Sequence, residues 1–538
     1  MMHHALIISD VLGFIFKFTD TSTNVACARV CKAWQENVLD VLWNRVDRLD
    51  RLLRLVGPME EINSYLTFVQ SHISNDRWER FTFYANLVRY LEVTDRPPEI
   101  HHQSFSTLAI TRPVLHILPN LTHLTWKKDP SSPPSSLFLC LLFLNPGLKS
   151  LSVETGRGSE QGDLFAIGNF FNDVVHRSPC IENLEFRSKM LFRDIGPCLS
   201  KFFIGLRCLK TVLLSDTLLT SDVITALAKC PLLESVRMIP MFDSFGTDEG
   251  EDVRNFIPVI EHGAFPQLQE MEIRAHLWNV VSLLQSEFPA GRLWRLVVRT
   301  LIMEDNASIA AFFTQVAEAC HGLEVLALSV QKGSIEDDSE NYTFASLQPI
   351  LRCTSLTAFT LKLPLPLDID DTEASLIASA WPRGRHLILN PFPTSKRPTR
   401  KHITLDALMA FAQCCPEIQS LGLFILPSFI SQSPDRKVMP KLDSLKLGLS
   451  GVLYTVENLA LFLADITPLT CSVTGASYLH DIDSAEAHRV ARVKWRKVIA
   501  LLPTLRSIHA QYQTRLRALE AEVHRLSLLA ASATMIEA

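Results

Sequence analysis

The sequence predicts an α/β repeat protein: a small helical module at the N-terminus, a long irregular array of strand-plus-helix units, and a C-terminal helix. Three observations carry this. Residues 7–43 hold apolar side chains at helical spacing in three short blocks. From residue 87 onward the phrase L-x-x-L-x-L returns after a helix that ends in Cys-Pro or a similar breaker. Gln513–Leu529 places Leu516, Leu519, Val523 and Leu526 on one stripe of a charged helix.

In the module, Ser9 or Asp10 is a suitable N-cap, and Val11, Leu12, Ile15 and Phe16 then form an apolar face. Thr21 or Ser22 caps a second helix through Val25, Ala26 and Arg29, and a third runs through Trp34, Val38, Leu42 and Trp43. Such a short segment cannot bury two tryptophans and all these aliphatics by itself, so part of that surface should pack on the next domain or on a partner.

The array phrase appears as LPNLTHLTW at Leu118, NPGLKSLSV at Asn145, CPLLESVRM at Cys230, CHGLEVLAL at Cys320 and CPEIQSLGL at Cys415. Its anchors Leu121, Leu148, Ile181, Leu209, Leu233, Leu268, Leu293, Leu323 and Leu356 are spaced about 24 to 35 residues apart, as strand-plus-helix units require. Two longer gaps, Leu356–Ile418 and Leu442–Leu505, each span close to two units, and a degenerate copy is expected in each, near Gly384 and Thr467. LPTLRSIHA at Leu502 reads as a last copy. A unit with one strand and one helix cannot bury its apolar face alone, so the units should stack as an irregular leucine-rich-repeat solenoid, a horseshoe. The expected divisions are 1–46 for the module, 47–85 for a helical linker, 86–510 for the solenoid and 511–538 for the C-terminal helix and tail. That helix is expected to cap the array, or to serve as a short coiled-coil contact.

The chain has a net charge of −5, so no global basic field suggests nucleic acid. Its dense basic run, Lys396–Lys401, is short and broken by Pro398, and reads as a solvated loop. The longest apolar run, Leu137–Leu144, is far below the roughly 20 residues of a membrane span. The start, MMHHALIISD, has neither the basic region nor the cleavage site of a secretory signal. Cys180, Cys230, Cys320, Cys353 and Cys415 each sit just before an anchor, as small buried thiols do in a reducing compartment. An intracellular protein, cytoplasmic or nuclear, is therefore expected, with the N-x-S/T sites at Asn120, Asn306 and Asn341 incidental.

Catalytic and metal-binding patterns are missing. GRGS at Gly156 lacks the lysine and spacing of a phosphate loop, His101-His102 has no third ligand at metal spacing, and the acidic string Asp368–Glu373 lacks the central glycine of a calcium loop. No enzyme activity, metal or cofactor is expected.

The N-terminal residues resemble the F-box family. An acidic residue followed by two aliphatics is met by Asp10-Val11-Leu12, and the next apolar pair by Ile15-Phe16. The motif V-C-K/R-x-W stands unbroken as Val30-Cys31-Lys32-Ala33-Trp34, and the closing L-W as Leu42-Trp43. Where the family has Leu-Pro before the acidic residue, this chain has Ile7-Ile8, a departure that bears on affinity rather than fold. The Cys-Pro repeat starts and long loops also resemble the large F-box sets of mushroom-forming fungi. The resemblance implies docking onto a Skp-type adaptor through Ile7, Leu12, Ile15, Phe16, Val30, Cys31 and Trp34, several of which can equally serve the module's own core. It further implies the substrate-recognition subunit of an SCF-type cullin–RING ubiquitin ligase, acting by proximity and performing no bond chemistry. A non-ligase repeat scaffold is the other expectation.

In L-x-x-L-x-L-x the third, fifth and seventh residues should point away from the core. The seventh position reads Lys127, Glu154, Arg187, Ser215, Ile239, Arg274, Arg299, Ser329 and Lys362, basic at five of nine places in an acidic chain. This predicts a basic stripe for an acidic or phosphorylated segment, with Arg187, Arg274, Arg299 and Lys362 as candidate substrate-binding residues.

Overall fold

A computed structural model of the chain describes residues 8–70, 72–94, 99–127, 134–155, 161–188, 192–239, 256–300, 302–330, 340–393, 399–425, 437–448, 455–475 and 485–536. Two compact units result, 1–274 with 286–289, and 275–285 with 290–538.

The first unit opens with three helices, α1 (Ser9–Lys17), α2 (Thr21–Cys27) and α3 (Lys32–Asn44). The last runs straight into the strand Arg45–Val46, which pairs in parallel with Tyr90–Val93. The Arg89 amide donates to the Asn44 carbonyl at 2.9 Å, and the Trp43 ring packs on Tyr84 with centroids 4.8 Å apart. The sheet therefore begins at the exit of the module. Residues 47–85, expected as a helical linker, hold the helices Leu49–Val56 and Asn75–Ala85 and also an antiparallel hairpin, Met59–Ile62 with Tyr65–Phe68. Its turn is built on Asn63 and Ser64, both at positive φ (51° and 69°), the geometry of a two-residue hairpin that matches strand twist.

From Tyr90 the parallel strands follow one another in chain order: His123–Lys127, Ser150–Thr155, Asn183–Ser188, Thr211–Ser215, Ser235–Ile239 and Glu270–Arg274. A recurring set of backbone hydrogen bonds explains why the array phrase survives so much substitution. The anchor amide closes a tight turn on the carbonyl three residues earlier, as from Leu148 to Asn145 (3.2 Å) and Leu233 to Cys230 (3.4 Å). The two amides after the anchor then converge on one carbonyl of the preceding unit. Lys149 and Ser150 both donate to Thr122, Glu182 and Asn183 to Lys149, and Glu234 and Ser235 to Lys210. Backbone alone makes this lock, so it constrains the anchor and leaves the two following side chains open.

The position three before the anchor lies inside the turn and is buried: Asn145, Ser178, Cys230, Cys320 and Cys415 all occupy it. Asn145 there donates to the Leu118 and Leu121 carbonyls at 3.0 and 2.9 Å. Burial pushes the thiols of Cys230, Cys320 and Cys415 up to about 12, which keeps them protonated and inert. Cys353 is half-buried and Cys180 is exposed. Cys180 is one residue before Ile181 rather than three, so Ser178 fills the turn in its place.

In the second unit the parallel strands run Arg295–Thr300, Val325–Val330, Ala358–Lys362, His386–Leu389, Ser420–Leu423, Ser444–Leu447 and Ser472–Gly475. The degenerate copies near Gly384 and Thr467 supply the strands at His386 and Ser472. LPTLRSIHA is not a strand. It lies inside one long helix, Ala485–Ile536, because a leucine spacing of three suits a helix face as well as the array phrase. Trp495, Val498, Leu502 and Arg506 of this helix are buried, and Arg506 donates to Thr467 Oγ1 and, at 2.8 Å, to the Cys471 carbonyl. Beyond them Tyr512, Leu516, Leu519, Val523 and Leu526 are exposed.

The acidic string at Asp368 has a structural role. Asp370 and Glu373 form a reciprocal capping box on the helix Asp371–Ala380, and Asp371 accepts the Thr404 amide at 2.7 Å. Lys401, from the basic run, pairs with Glu373 at 2.6 Å. GRGS at Gly156 lies outside the described residues.

Glycine is required where the long helix meets the last strand. A Cβ on Gly475 would collide with the Trp495 ring. Gly475→Ala should lower the melting temperature and expose the helix to limited proteolysis, and Trp495→Ala should cost about 3–5 kcal/mol, read from thermal and denaturant unfolding.

Candidate protein-docking site

The interior of the N-terminal module is small. Leu12, Phe16 and Val38 fill it, with Cys27, Ala28, Trp34, Val41 and Leu42 packed around them. The Trp34 ring meets Phe16 edge-on, centroids 5.6 Å apart. Polar groups fix the helix junction. Asn24 is buried, donates to the Phe16 carbonyl at 2.9 Å and accepts from the Thr19 hydroxyl at 2.6 Å. Asp20 caps α2 by accepting the Thr23 amide at 2.8 Å and the Thr23 hydroxyl at 3.0 Å. Those hydrogen bonds, the amide first, hold its carboxyl below the usual range. Ser9 at the start of α1 donates to Asn37 of α3.

With the interior filled, the remaining apolar side chains lie outside. Ile8, Val11, Phe14, Ile15 and Phe18 are all exposed, Phe14 at 65% and Phe18 at 77%. At 100° per residue they occupy an arc of about 120° on α1, beside the buried Leu12–Phe16 edge. Phe14 and Phe18 pack on each other with centroids 4.9 Å apart. Val25 on α2 and Val30 after it are exposed as well. This much apolar surface on one helix is unusual unless another protein covers it.

The predicted docking residues thus divide. Leu12 and Phe16 sit in the module's core, and Trp34 is half-buried against Phe16. Cys31 is half-buried at the N-cap of α3. Ile15 and Val30 face solvent, and Ile7 lies outside the described residues. Sequence reasoning missed Val11 as an outward residue, and Phe14, Phe18 and Val25 altogether as docking candidates. The available signal was that α1 carries more apolar residues than one face of a short helix can bury.

Residues 9–49 match the F-box-like family model. The N-terminal module is F-box-like. No curated protein matches the chain. Among solved structures, the Rad7–Elc1 complex of yeast is similar over 79% of this chain and 91% of that one, at 14% identity and a TM-score of 0.36. An internalin from Listeria monocytogenes is similar over 69% and 79%, at 13% identity and a TM-score of 0.30. The F-box-like module runs through the strand Arg45–Val46 directly into the first unit's parallel sheet.

On the open face of the first unit's sheet, the basic residues are answered by carboxylates. Lys127 and Arg187 both approach Glu185, and Arg237 pairs with Glu270. Arg274 is buried with its guanidinium 3.8 Å from the buried Asp216. Arg187 is therefore an internally paired surface group and Arg274 a core group, which corrects the expectation that these two belong to a basic stripe on the open face. Arg299 and Lys362, in the second unit, project from the open face with no carboxylate partner among the described residues. Neither a metal-holding group of His, Cys, Asp or Glu nor a helix long and apolar enough to cross a membrane occurs among the described residues.

Asp20→Ala should speed hydrogen exchange across residues 9–44 at neutral pH. Because the native Asp20 pKa lies below its unfolded value, its contribution exists above about pH 4 and fades as pH falls through the native value. The difference between variant and parent should shrink in acid, which mass spectrometry of the exchanged peptides checks.

Proposed function

We propose that this chain is the substrate-recognition subunit of an SCF-type cullin–RING ubiquitin ligase, working in the cytoplasm or nucleus. The F-box-like module docks onto a Skp-type adaptor, and the repeat array holds a substrate protein. The observation that carries this reading is the outward face of α1, where Val11, Phe14, Ile15 and Phe18 stand exposed on a module matched over residues 9–49 by the F-box-like family model. The chain contributes geometry rather than bond chemistry. A module and an array on one chain bring bound substrate into the adaptor's neighbourhood, and so raise the effective concentration of its lysines near a conjugating enzyme.

Phe14→Asp with Phe18→Asp places two charges where the adaptor would bury aromatic surface. Capture of the Skp-type adaptor by the full chain should weaken by about thirtyfold or more, with the circular dichroism spectrum unchanged. Leu12→Ala should instead loosen the module, at a cost of about 2–5 kcal/mol. If the intact chain never captures that adaptor, or captures it equally well after both Phe substitutions, the proposal fails.

A further inference from the structure

Among the described residues, the strands of the second unit's main parallel sheet contain no carboxylate. RLVVRT, VLALSV, AFTLK, HLIL, SLGL, SLKL and SVTG hold Arg295, Arg299, Lys362, Lys446 and His386 but no Asp or Glu. In the first unit Glu92, Glu154, Glu185, Glu270 and Glu272 all lie in strands. The register brings three of the second unit's polar groups into one row. Arg299 pairs with Ser329, and Ser329 with Lys362, so a guanidinium, a hydroxyl and an ammonium stand on adjacent strands at the same level. Arg299 and Lys362 are two strand spacings, about 10 Å, apart. All three alternate with the buried Val298, Leu328 and Leu361, which places them on the face opposite the core.

Lys446 belongs to the same field. Its strand position continues the row Thr360, Ile388 and Gly422, one pleat below Lys362. Partial desolvation by the surrounding strand face, then the charges of Arg299 and Lys446, hold the Lys362 ammonium below the ordinary lysine range, although the residue is exposed. Among the described residues none of the Arg299, Lys362 and Lys446 side chains has a hydrogen bond or ion pair. Like charges gathered without a counter-ion among the described residues raise the energy of the row, and an anion on it would lower that energy.

We propose that Arg299, Ser329 and Lys362 form a recognition site for a phosphomonoester carried on an extended segment of the substrate protein, with Lys446 receiving a neighbouring acidic group of that segment. A guanidinium engages two phosphate oxygens side by side, a lysine supplies a point charge, and a serine hydroxyl donates to the oxygen between them. The spread of charge across several strands suits an extended chain better than a compact anion. This rests on the substrate-receptor reading for the identity of the ligand's carrier.

The test uses the full chain and a phosphoserine-oriented peptide library, beside the same library treated with phosphatase. Retention should be selective for the phosphorylated library, should be competed by free phosphoserine, and should fall about tenfold or more in Arg299→Ala with Lys362→Ala. That double variant should melt no lower than the parent, because it removes like-charge repulsion, and should still capture the Skp-type adaptor. Lys127→Ala with Arg187→Ala, on the neutralised face, should change nothing. Equal retention of both libraries, undiminished retention by the double variant, or binding of inositol hexakisphosphate without any phosphopeptide would overturn the proposal. Adaptor capture is read separately, so loss of the phosphate site and loss of the ligase role are distinguishable.

Discussion

A three-helix module this short has room for one small interior, and here Leu12, Phe16 and Val38 fill it. Everything else about the docking surface follows from that limit. Asn24 and Asp20 fix the turn between α1 and α2 with hydrogen bonds that leave little freedom to re-aim α1. Trp34 closes the interior against Phe16, so the remaining apolar residues of α1 have no interior left to enter. Val11, Phe14, Ile15 and Phe18 are outside because the inside is occupied, and exposed aromatic surface of that kind has a purpose only when a partner removes it from water.

The array obeys a different constraint. Within each compact unit, repeats such as those at Leu148, Leu233, Leu323 and Ile418 are tied to the repeat before them by two amides converging on one carbonyl, and by an anchor whose own amide closes a turn three residues back. These bonds need position and burial rather than particular side chains, which is why asparagine, serine, cysteine and alanine all serve in the turn. The open face of the sheet is therefore free to vary without cost to the stack. In the first unit that freedom produced matched charges, and in the second a row of cations on main-sheet strands that carry no carboxylate among the described residues.

The sequence was most legible where one position carries a structural duty. Anchors such as Leu148, Leu233 and Leu323 are fully or almost fully buried, and the degenerate copies at His386 and Ser472 were found from spacing alone. It was least legible where the deciding fact is non-local. The strand Arg45–Val46 is two residues long and exists only because Tyr90–Val93 lies beside it. The hairpin at Met59–Phe68 turns on Asn-Ser, a weaker signal than Asn-Gly, inside a segment of helical composition. LPTLRSIHA satisfies the array phrase and a helix equally, and packing of Leu502 and Arg506 decided for the helix. In the docking module periodicity identified the apolar residues of α1 but not which edge faces inward, and the carboxylates beside Arg237 and Arg274, Glu270 and Asp216, come from elsewhere in the chain, whereas Glu185 beside Arg187 lies in the same strand.

The central claim is that the F-box-like module meets its partner through the outer face of α1 while its core residues stay inside. Hydroxyl-radical footprinting of the intact chain, alone and mixed with a Skp-type adaptor, reads this at single side chains. The account predicts strong oxidation of Phe14 and Phe18 in the free chain, protection of both in the mixture, and little oxidation of Phe16 in either. Protection confined to the repeat array, or Phe14 and Phe18 oxidised equally with and without a demonstrably bound adaptor, would contradict it.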